Sequence, residues 1–381
     1  MKKVLLTAMA LLTIASASAF GMYGADNGWI DFLVHGNQLR ARMDQLGFTL
    51  GNGMIKGTFG FKGNTGGLIM HAVSGNEIKN NDFATLDPTI SMGIGYTSPV
   101  FGIGVGYNYT FKTKDFGIHT PVLAVNALND NLRIAVPIQI GVAGNSSHDN
   151  TYVNGIANGT VKENYTSVSM DPQIRYYTGI DAVSHIRLTL KYGMASYKAG
   201  TIAQTLQDYV ASSFGFEFRI HFLKSTVGNV VVDPFFRVTY NTALEGNSYS
   251  VTAGDRTAAV LKTTAKDRSK PYEVFFEIPV GLNASSDIVT LYLEPKLGYG
   301  FEGQAGGATK VSTMKHKLVW GAYGEIYITP VKDLEWYFEA EIGNGPSYDD
   351  WNNAIHAGNG IKFNTSTGIT WYLPSLGGAT E

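Results

Sequence analysis

Residues 89–111 read TISMGIGYTSPVFGIGVGYNYTF, and an apolar side chain stands at every second position on both sides of a short break. A period of two indicates strands, because successive side chains of a strand point to opposite faces. The break at Ser98-Pro99 is short enough to join two antiparallel neighbours. Beyond it, Ile103 and Val105 alternate with glycines. The segment therefore predicts an antiparallel hairpin with one large apolar face and one small or polar face.

The same alternation recurs in fifteen segments along the chain. They cover residues 46–50, 55–61, 89–97, 100–111, 119–128, 132–142, 167–178, 185–195, 213–222, 230–241, 272–283, 289–302, 317–329, 334–343 and 361–373. The connections between them alternate in length, which is typical of a barrel with short periplasmic turns and longer outer loops. We therefore predict an all-β fold, a transmembrane antiparallel β-barrel. In this barrel Ile103 and Val105 face lipid, and the neighbouring glycines 102, 104 and 106 face the lumen.

The number of strands follows from where the chain must start and end. The last segment follows a long loop, so it descends to the periplasm. The first clear segment leads into a short turn, so it also descends. Single-chain bacterial barrels have even strand numbers, so one ascending strand has to precede residue 46. The best candidate is Trp29–His35, which gives about 16 strands. The fallback is 14 strands, with residues 20–50 as an arm or plug.

The two ends of the chain lie outside the predicted barrel. Residues 1–19 combine a charged start, an apolar run and a small-residue site, which indicates a secretory signal peptide cleaved before Phe20. Residues 20–373 form the barrel, with 20–45 as an N-terminal arm or the first strand, and residues 374–381 form a C-terminal tail. Beyond the signal, no apolar stretch approaches the roughly 20 residues of a spanning helix.

Composition narrows the class of protein further. Glycine contributes 45 of 381 residues, tyrosine 21 and phenylalanine 20, whereas charged residues make up only 16%. This balance fits an outer-membrane barrel. There is no cysteine, so neither a disulfide nor a lipid-modified cysteine is expected. Without Lys2 and Lys3 the balance is 27 basic against 31 acidic residues, a net charge of −4, and this argues against a nucleic-acid partner.

Six prolines stand inside predicted strands, each about five to eight residues from a short turn. They are Pro121, Pro137, Pro172, Pro234, Pro279 and Pro295. Proline cannot donate to a strand ladder and marks edges or bulges. We interpret the six as bulges that form a rough ring in the periplasmic half. The competing interpretation is that they break the strands and that the architecture is a different one.

Charged side chains alternate with the apolar face and are the candidate lumen and pore-lining residues. The basic members are Arg133, Arg175, Arg187, Lys191, Arg219 and Arg237, and the acidic members are Glu273, Glu277, Glu294, Glu325, Glu339 and Glu341. They cannot face lipid, where a mid-bilayer Arg or Lys costs about 2–4 kcal/mol. One arc of the inner wall is thus mainly basic and the next mainly acidic. Two interpretations stay open: ion pairs that rigidify the wall, and a wet pore with a transverse field.

No motif of the chain indicates catalysis or a cofactor. The run from Gly102 to Gly106 lacks the spacing of a dinucleotide loop, and no helix follows it. The eight histidines are scattered, and no pair has metal-ligand spacing on one element, so no metal site is expected. Ser184-His185 lies beside a short turn and has no evident acid next to it. We expect no enzyme, no catalytic residue and no cofactor.

A resemblance rests on the start of the mature chain. FGMYG at 20–24, WIDFL at 29–33, HGNQ at 35–38 and RARMDQLGF at 40–48 resemble the variable surface proteins (Vsp) of intestinal spirochaetes. The signal peptide, GNG at 51–53 and KGTFGF at 56–61 continue the likeness. The resemblance covers about the first 60 residues, with a general likeness in length and alternation downstream. It implies an abundant outer-membrane surface antigen from a multigene family, with a suggested role in antigenic variation and no catalytic motif.

These observations lead to one function and several alternatives. The leading interpretation is a surface-exposed antigen in the bacterial outer membrane, with porin-like passive diffusion of small polar solutes. The alternatives are a non-conducting adhesin or structural surface protein, an outer-membrane hydrolase, and a secreted β-sandwich. The expected partners are outer-membrane lipid and, through the outer loops, host molecules or antibodies. Whether copies associate into a homo-oligomer stays open.

Overall fold

The computed structural model describes residues 39–42, 45–51, 54–62, 88–113, 116–143, 160–201, 207–245, 271–304, 314–332, 334–344 and 361–373. These residues form strands and the turns between them, and no helix occurs among them. In that part of the chain no helix is long and apolar enough to cross a membrane. The predicted signal peptide, the predicted C-terminal tail and most of the long connections lie outside the described residues.

Eighteen strand segments follow one another along the described part of the chain. They are β1 (Leu39–Arg42), β2 (Gln45–Gly51), β3 (Ile55–Lys62), β4 (Thr89–Thr97), β5 (Gly102–Thr113), β6 (Phe116–Ala127), β7 (Leu132–Ala143), β8 (Thr160–Met170), β9 (Gln173–Ile180), β10 (Val183–Thr201), β11 (Gln207–Phe222), β12 (Ser225–Val227), β13 (Val230–Glu245), β14 (Pro271–Ser285), β15 (Val289–Gln304), β16 (Lys315–Val331), β17 (Leu334–Gly343) and β18 (Lys362–Leu373). Each segment runs antiparallel to its partners, as expected for strands joined by short turns.

The segments occupy sixteen positions around one sheet. β8 and β9 share a position, because both pair with β7 and β10. β12 continues β11, and both pair with β13. The break between these two falls at Leu223, whose φ of 52° lies in the left-handed region. β1 pairs with β18 on one side and with β2 on the other, so the sheet closes on itself. The prediction of a sixteen-stranded antiparallel barrel is confirmed.

Two details differ from the prediction. The ascending strand before residue 46 is β1 at Leu39–Arg42, whereas the candidate Trp29–His35 lies outside the described residues. The connection predicted between the segments 185–195 and 213–222 is mostly strand, because β10 and β11 pair as far as Ala199 with Gln207. Small and polar residues such as Lys198, Gly200 and Asp208 stand in this part of the two strands, and they give a weaker alternation than aromatic and branched ones.

The two faces of the sheet have opposite chemistry. In the hairpin of β4 and β5, Ile94, Ile103 and Val105 are exposed, whereas Ser91 and Asn108 on the other face are buried. The same alternation runs through β13, where Arg237 is buried between less buried neighbours. In a closed sheet the shielded face is the inside, and an apolar outside matches a surrounding bilayer. Ile103 and Val105 therefore point to the outside of the closed sheet, as predicted.

The prolines do not form bulges. Pairing between β14 and β15 stops at Pro279 and resumes at Leu282 in unchanged register. Pro121, Pro172 and Pro234 likewise stand where pairing is interrupted without a shift. Proline removes a ladder hydrogen bond but adds no residue, so a gap results and the bulge prediction is wrong.

The prolines do not form a full ring either. They lie in two groups, on β6, β7 and the connection between β8 and β9, and on β13, β14 and β15. The prediction that they break the strands into another architecture is also wrong, because register continues past each gap.

Candidate functional site: the charged interior wall

Five arginines lie directly opposite one another on the inner face of five neighbouring strands. Arg133 on β7 pairs with Arg175 on β9, which pairs with Arg187 on β10; Arg187 pairs with Arg219 on β11, which pairs with Arg237 on β13. We call this set the arginine row. Like charges directly opposite each other destabilise a sheet, so this register needs compensation.

Carboxylates and rings next to the arginine row supply that compensation. At one end, the Arg133 guanidinium donates to Asp130 from Nε at 3.1 Å and lies 5.2 Å from the Tyr177 ring centroid. In the middle, Arg219 is ion-paired with Glu217 two residues along its own strand. A cation over an aromatic face gains further electrostatic attraction. The row is therefore a set of arginines held apart by local partners.

The other end of the row enters a cluster of buried glutamates. Arg237 donates from Nε to Glu277 Oε2 at 2.8 Å, and its Nη1 lies 3.7 Å from Glu294 Oε1. Lys296 Nζ lies 3.7 Å from Glu277 and from Glu341. Arg237 is 2% exposed, Glu277 1% and Glu294 0%. We call Arg237, Glu277, Glu294 and Lys296 the ion-pair cluster.

A glycine makes room for the ion-pair cluster. Gly298 pairs directly with Glu277 across β14 and β15. A Cβ at this position would come within 2.7 Å of the Glu277 Cγ and 2.9 Å of its Cα. Any side chain at 298 would therefore displace the carboxylate that binds Arg237 and Lys296. The glycine opposite Glu277 thus has a packing reason.

Glu273, Glu294 and Glu325 receive hydrogen bonds from neutral groups. Asn241 donates to Glu273 at 2.7 Å, and Tyr292 donates to Glu294 at 2.6 Å. The Tyr327 hydroxyl donates to Glu325 at 3.0 Å. Glu339 lies directly opposite Glu325 on β17. Buried carboxylates need such partners, because an unpaired buried charge is costly.

All twelve sequence-predicted residues thus lie on the inner face, and their burial limits the kind of pore. Arg187, Lys191, Arg219, Arg237, Glu273, Glu277, Glu294 and Glu325 are buried. Arg133, Arg175, Glu339 and Glu341 keep partial exposure. Ion pairs engage Arg133, Arg219, Arg237, Glu277, Glu294 and Glu341, and the buried members of the set present few charges to water. Their role in lining a pore stays a prediction.

Two of the histidines form a group with an aspartate that was not predicted from the sequence. Strand pairing places His185 on β10 opposite His221 on β11, and the two imidazole ring centroids are 3.6 Å apart. His221 Nδ1 lies 3.2 Å from Asp233 Oδ2 on β13. Spacing along one element could not reveal this group, because its members stand on three strands. Only the cross-strand register brings them together.

These side chains do not form a serine-hydrolase triad. Ser184 Oγ lies 3.1 Å from His185 Nδ1, but the carboxylate of Asp233 contacts His221 instead. A triad needs one imidazole between the serine and the acid. The hydrolase alternative therefore gains nothing from Ser184 and His185.

The closed sheet, its apolar exterior and its charged interior define an outer-membrane β-barrel protein. The model of the Serpulina hyodysenteriae variable surface protein family matches residues 2–372, nearly the whole chain. The chain belongs to this family, so it is an outer-membrane surface protein. The expected resemblance to variable surface proteins is confirmed over far more than its first 60 residues. No curated protein matches the chain.

Several solved structures are similar to the chain at low sequence identity. A bacterial polysaccharide outer membrane secretin is 10% identical with a TM-score of 0.47, over 87% of this chain and 90% of the other. OmpT of Vibrio cholerae is 12% identical with a TM-score of 0.33, over 88% and 96%. A monoaromatic hydrocarbon channel, CymD, is 9% identical with a TM-score of 0.32, over 92% and 93%. These TM-scores add nothing to the architecture that the strand pairings define.

Proposed function

We propose that this protein is a surface antigen that displays its long loops outside the cell and lets small polar solutes diffuse through a narrow, charged interior. The observation that carries the proposal is the arginine row beside buried glutamates, inside a barrel with an apolar exterior. Places where a chain breaks a local rule are often functional, and five opposed arginines break the rule for cross-strand charges.

The loop-display part follows from the chain's two kinds of connection. At one end of the barrel the strands are joined by short turns such as 128–131 and 286–288. At the other end the connections are longer, for example 63–88, 144–159 and 246–270. In outer-membrane barrels the longer connections face outward. Variation in such segments would change what antibodies meet while the strand ladder stays intact.

Single cysteines test which end faces outward, because the natural chain contains no cysteine. We expect Ser248→Cys, in the connection 246–270, to react on intact cells with a maleimide that cannot cross membranes. Asp287→Cys, in the turn between β14 and β15, should react only after the cells are opened. Equal labelling of both variants on intact cells would contradict the loop-display proposal.

The diffusion part rests on the candidates that keep contact with solvent. Arg133 and Arg175 at one end of the row are partly exposed, as are Glu339 and Glu341 across the interior. Solutes passing between them would cross a transverse field. Because the ion-pair cluster is buried, we infer a narrow passage and a conductance well below that of an open sixteen-stranded porin.

Planar bilayers test this part directly. We expect purified, folded protein to give small ion-conducting steps, and Arg175→Glu to shift the zero-current potential in a salt gradient toward cation preference. Lys315→Glu is the matched control, because Lys315 lies at the long-loop end and is largely exposed. Silent bilayers with well-folded protein would refute diffusion and leave a non-conducting adhesin or structural surface protein.

A further inference from the structure

His185, His221 and Asp233 meet on the inner face near the short turns of the barrel. His185 stands close to the start of β10, His221 close to the end of β11 and Asp233 close to the start of β13. One donor atom from each side chain lies within 4.8 Å of the other two. His185 and His221 are 5% and 4% exposed. Two imidazoles and a carboxylate thus converge at one buried point.

Each imidazole has one nitrogen engaged and one without a partner. His221 Nδ1 is in contact with Asp233, and His185 Nδ1 with Ser184. The Nε2 atoms of both histidines, and Asp233 Oδ1, are buried and have no hydrogen-bond partner among the described residues. A buried polar atom left unsatisfied costs about 1–3 kcal/mol. A metal ion bound by the two imidazoles and the carboxylate would satisfy these atoms.

We propose that this group binds a divalent transition-metal ion, with Zn²⁺ as the best match. Imidazole nitrogen and carboxylate oxygen are the ligands that zinc takes, and three protein ligands leave a fourth position for water. The proposal is independent of whether the barrel conducts.

Binding requires a modest rearrangement of the rings. The two imidazole planes are inclined by only 21° and stacked, so their in-plane lone pairs do not yet point at one position. Rotation of one ring about its Cβ–Cγ bond corrects this, and that torsion has broad minima in histidine. Asp233, whose side chain is 19% exposed, gives the ion a route in from the short-turn end.

Neighbouring charges decide which ions are excluded. Arg187 and Arg219 lie two residues from the histidines on the same inner face, and Lys224 follows β11. These cations repel any metal ion, and Asp233 is the one carboxylate of the group. Mg²⁺ and Ca²⁺ depend on several oxygen ligands, so they gain too little here. An ion that binds through nitrogen lone pairs is favoured.

The test uses untagged, full-length protein, folded in detergent and stripped of metal with a chelator. We expect equilibrium dialysis to give one tightly bound Zn²⁺ per chain, not displaced by millimolar Ca²⁺. His221→Ala should lower the affinity at least about tenfold. The matched control is His316→Ala, because His316 is exposed and contacts Tyr299 at 2.6 Å outside the group. It should bind zinc like the natural protein.

A second measurement keeps the proposal testable if His221→Ala fails to fold. Cu²⁺ bound to the unaltered protein should give an electron paramagnetic resonance spectrum with coupling to two imidazole nitrogens. No bound zinc in the unaltered protein, undiminished zinc affinity in folded His221→Ala, or a copper spectrum without nitrogen coupling would each overturn the proposal.

Discussion

Replacing Arg237 by alanine should lower the free energy of unfolding by about 3–5 kcal/mol, the largest loss we expect from any single change in the inner wall. The reason lies in its partners. Without the guanidinium, Glu277 and Glu294 remain buried, at 1% and 0% exposure, and Lys296 is the one cation left in the ion-pair cluster. An uncompensated buried charge pays its full desolvation cost. Urea unfolding in lipid vesicles, followed by tryptophan fluorescence, measures the loss.

Arg133 provides the control for this experiment. It belongs to the same arginine row, but its ion pair with Asp130 is partly solvated, with side-chain exposures of 23% and 48%. Arg133→Ala should therefore cost at most about 1 kcal/mol. Replacing Arg237 and Glu277 together by methionine should recover much of the loss, because the charges then leave as a pair. Equal losses for Arg237→Ala and Arg133→Ala would contradict a special role for burial.

Leu293→Lys should cost about 2–4 kcal/mol in a bilayer, because it puts a charge on the outer face of β15 near the middle of the part that crosses the bilayer, which begins at the short turn. Leu293 is 41% exposed, so the change disturbs little packing inside the barrel. The cost arises from lipid, and it should therefore shrink in a short-chain detergent that lets water reach the strand. Folding yield in vesicles against micelles measures the difference.

Val289→Lys is the matched control on the same strand and face. Val289 begins β15 beside the short turn, where a lysine can reach the membrane surface. The cost there should fall to about 0–1 kcal/mol. Indistinguishable costs at 289 and 293 would mean that β15 does not cross a bilayer in the register that the barrel implies.

Much of this architecture could be predicted from the sequence, because a period of two is a local property. The fifteen segments, the outward face of Ile103 and Val105, and the total of sixteen strands all follow from alternation and chain direction. β1 was not predicted at its place, because four residues, LRAR, are too few to establish a period. Even a strong pattern therefore leaves short strands undetermined.

The candidate site was predictable only in part. Alternation predicts that the charged residues face inward. Their partners depend on the cross-strand register, and that register is set by turn geometry and by gaps in the ladder. The direct opposition of Arg187 and Arg219, and of His185 and His221, could not be derived from spacing within one segment. For the prolines, the positions in the strands were clear from the sequence, but their effect on strand register was not.

The unequal lengths of the strands determine how far each side of the barrel extends beyond the bilayer. β4 to β7 have 9–12 residues, close to the roughly 9–11 needed to cross a bilayer. β10, β11 and β13 to β16 have 15–19 residues, and the excess extends about 20 Å along the strand. The rim of the barrel at the long-loop end is therefore higher on the side of the longer strands than on the side of β4 to β7. If the proposed display at this end is right, antibodies would meet the ends of these longer strands before those of β4 to β7.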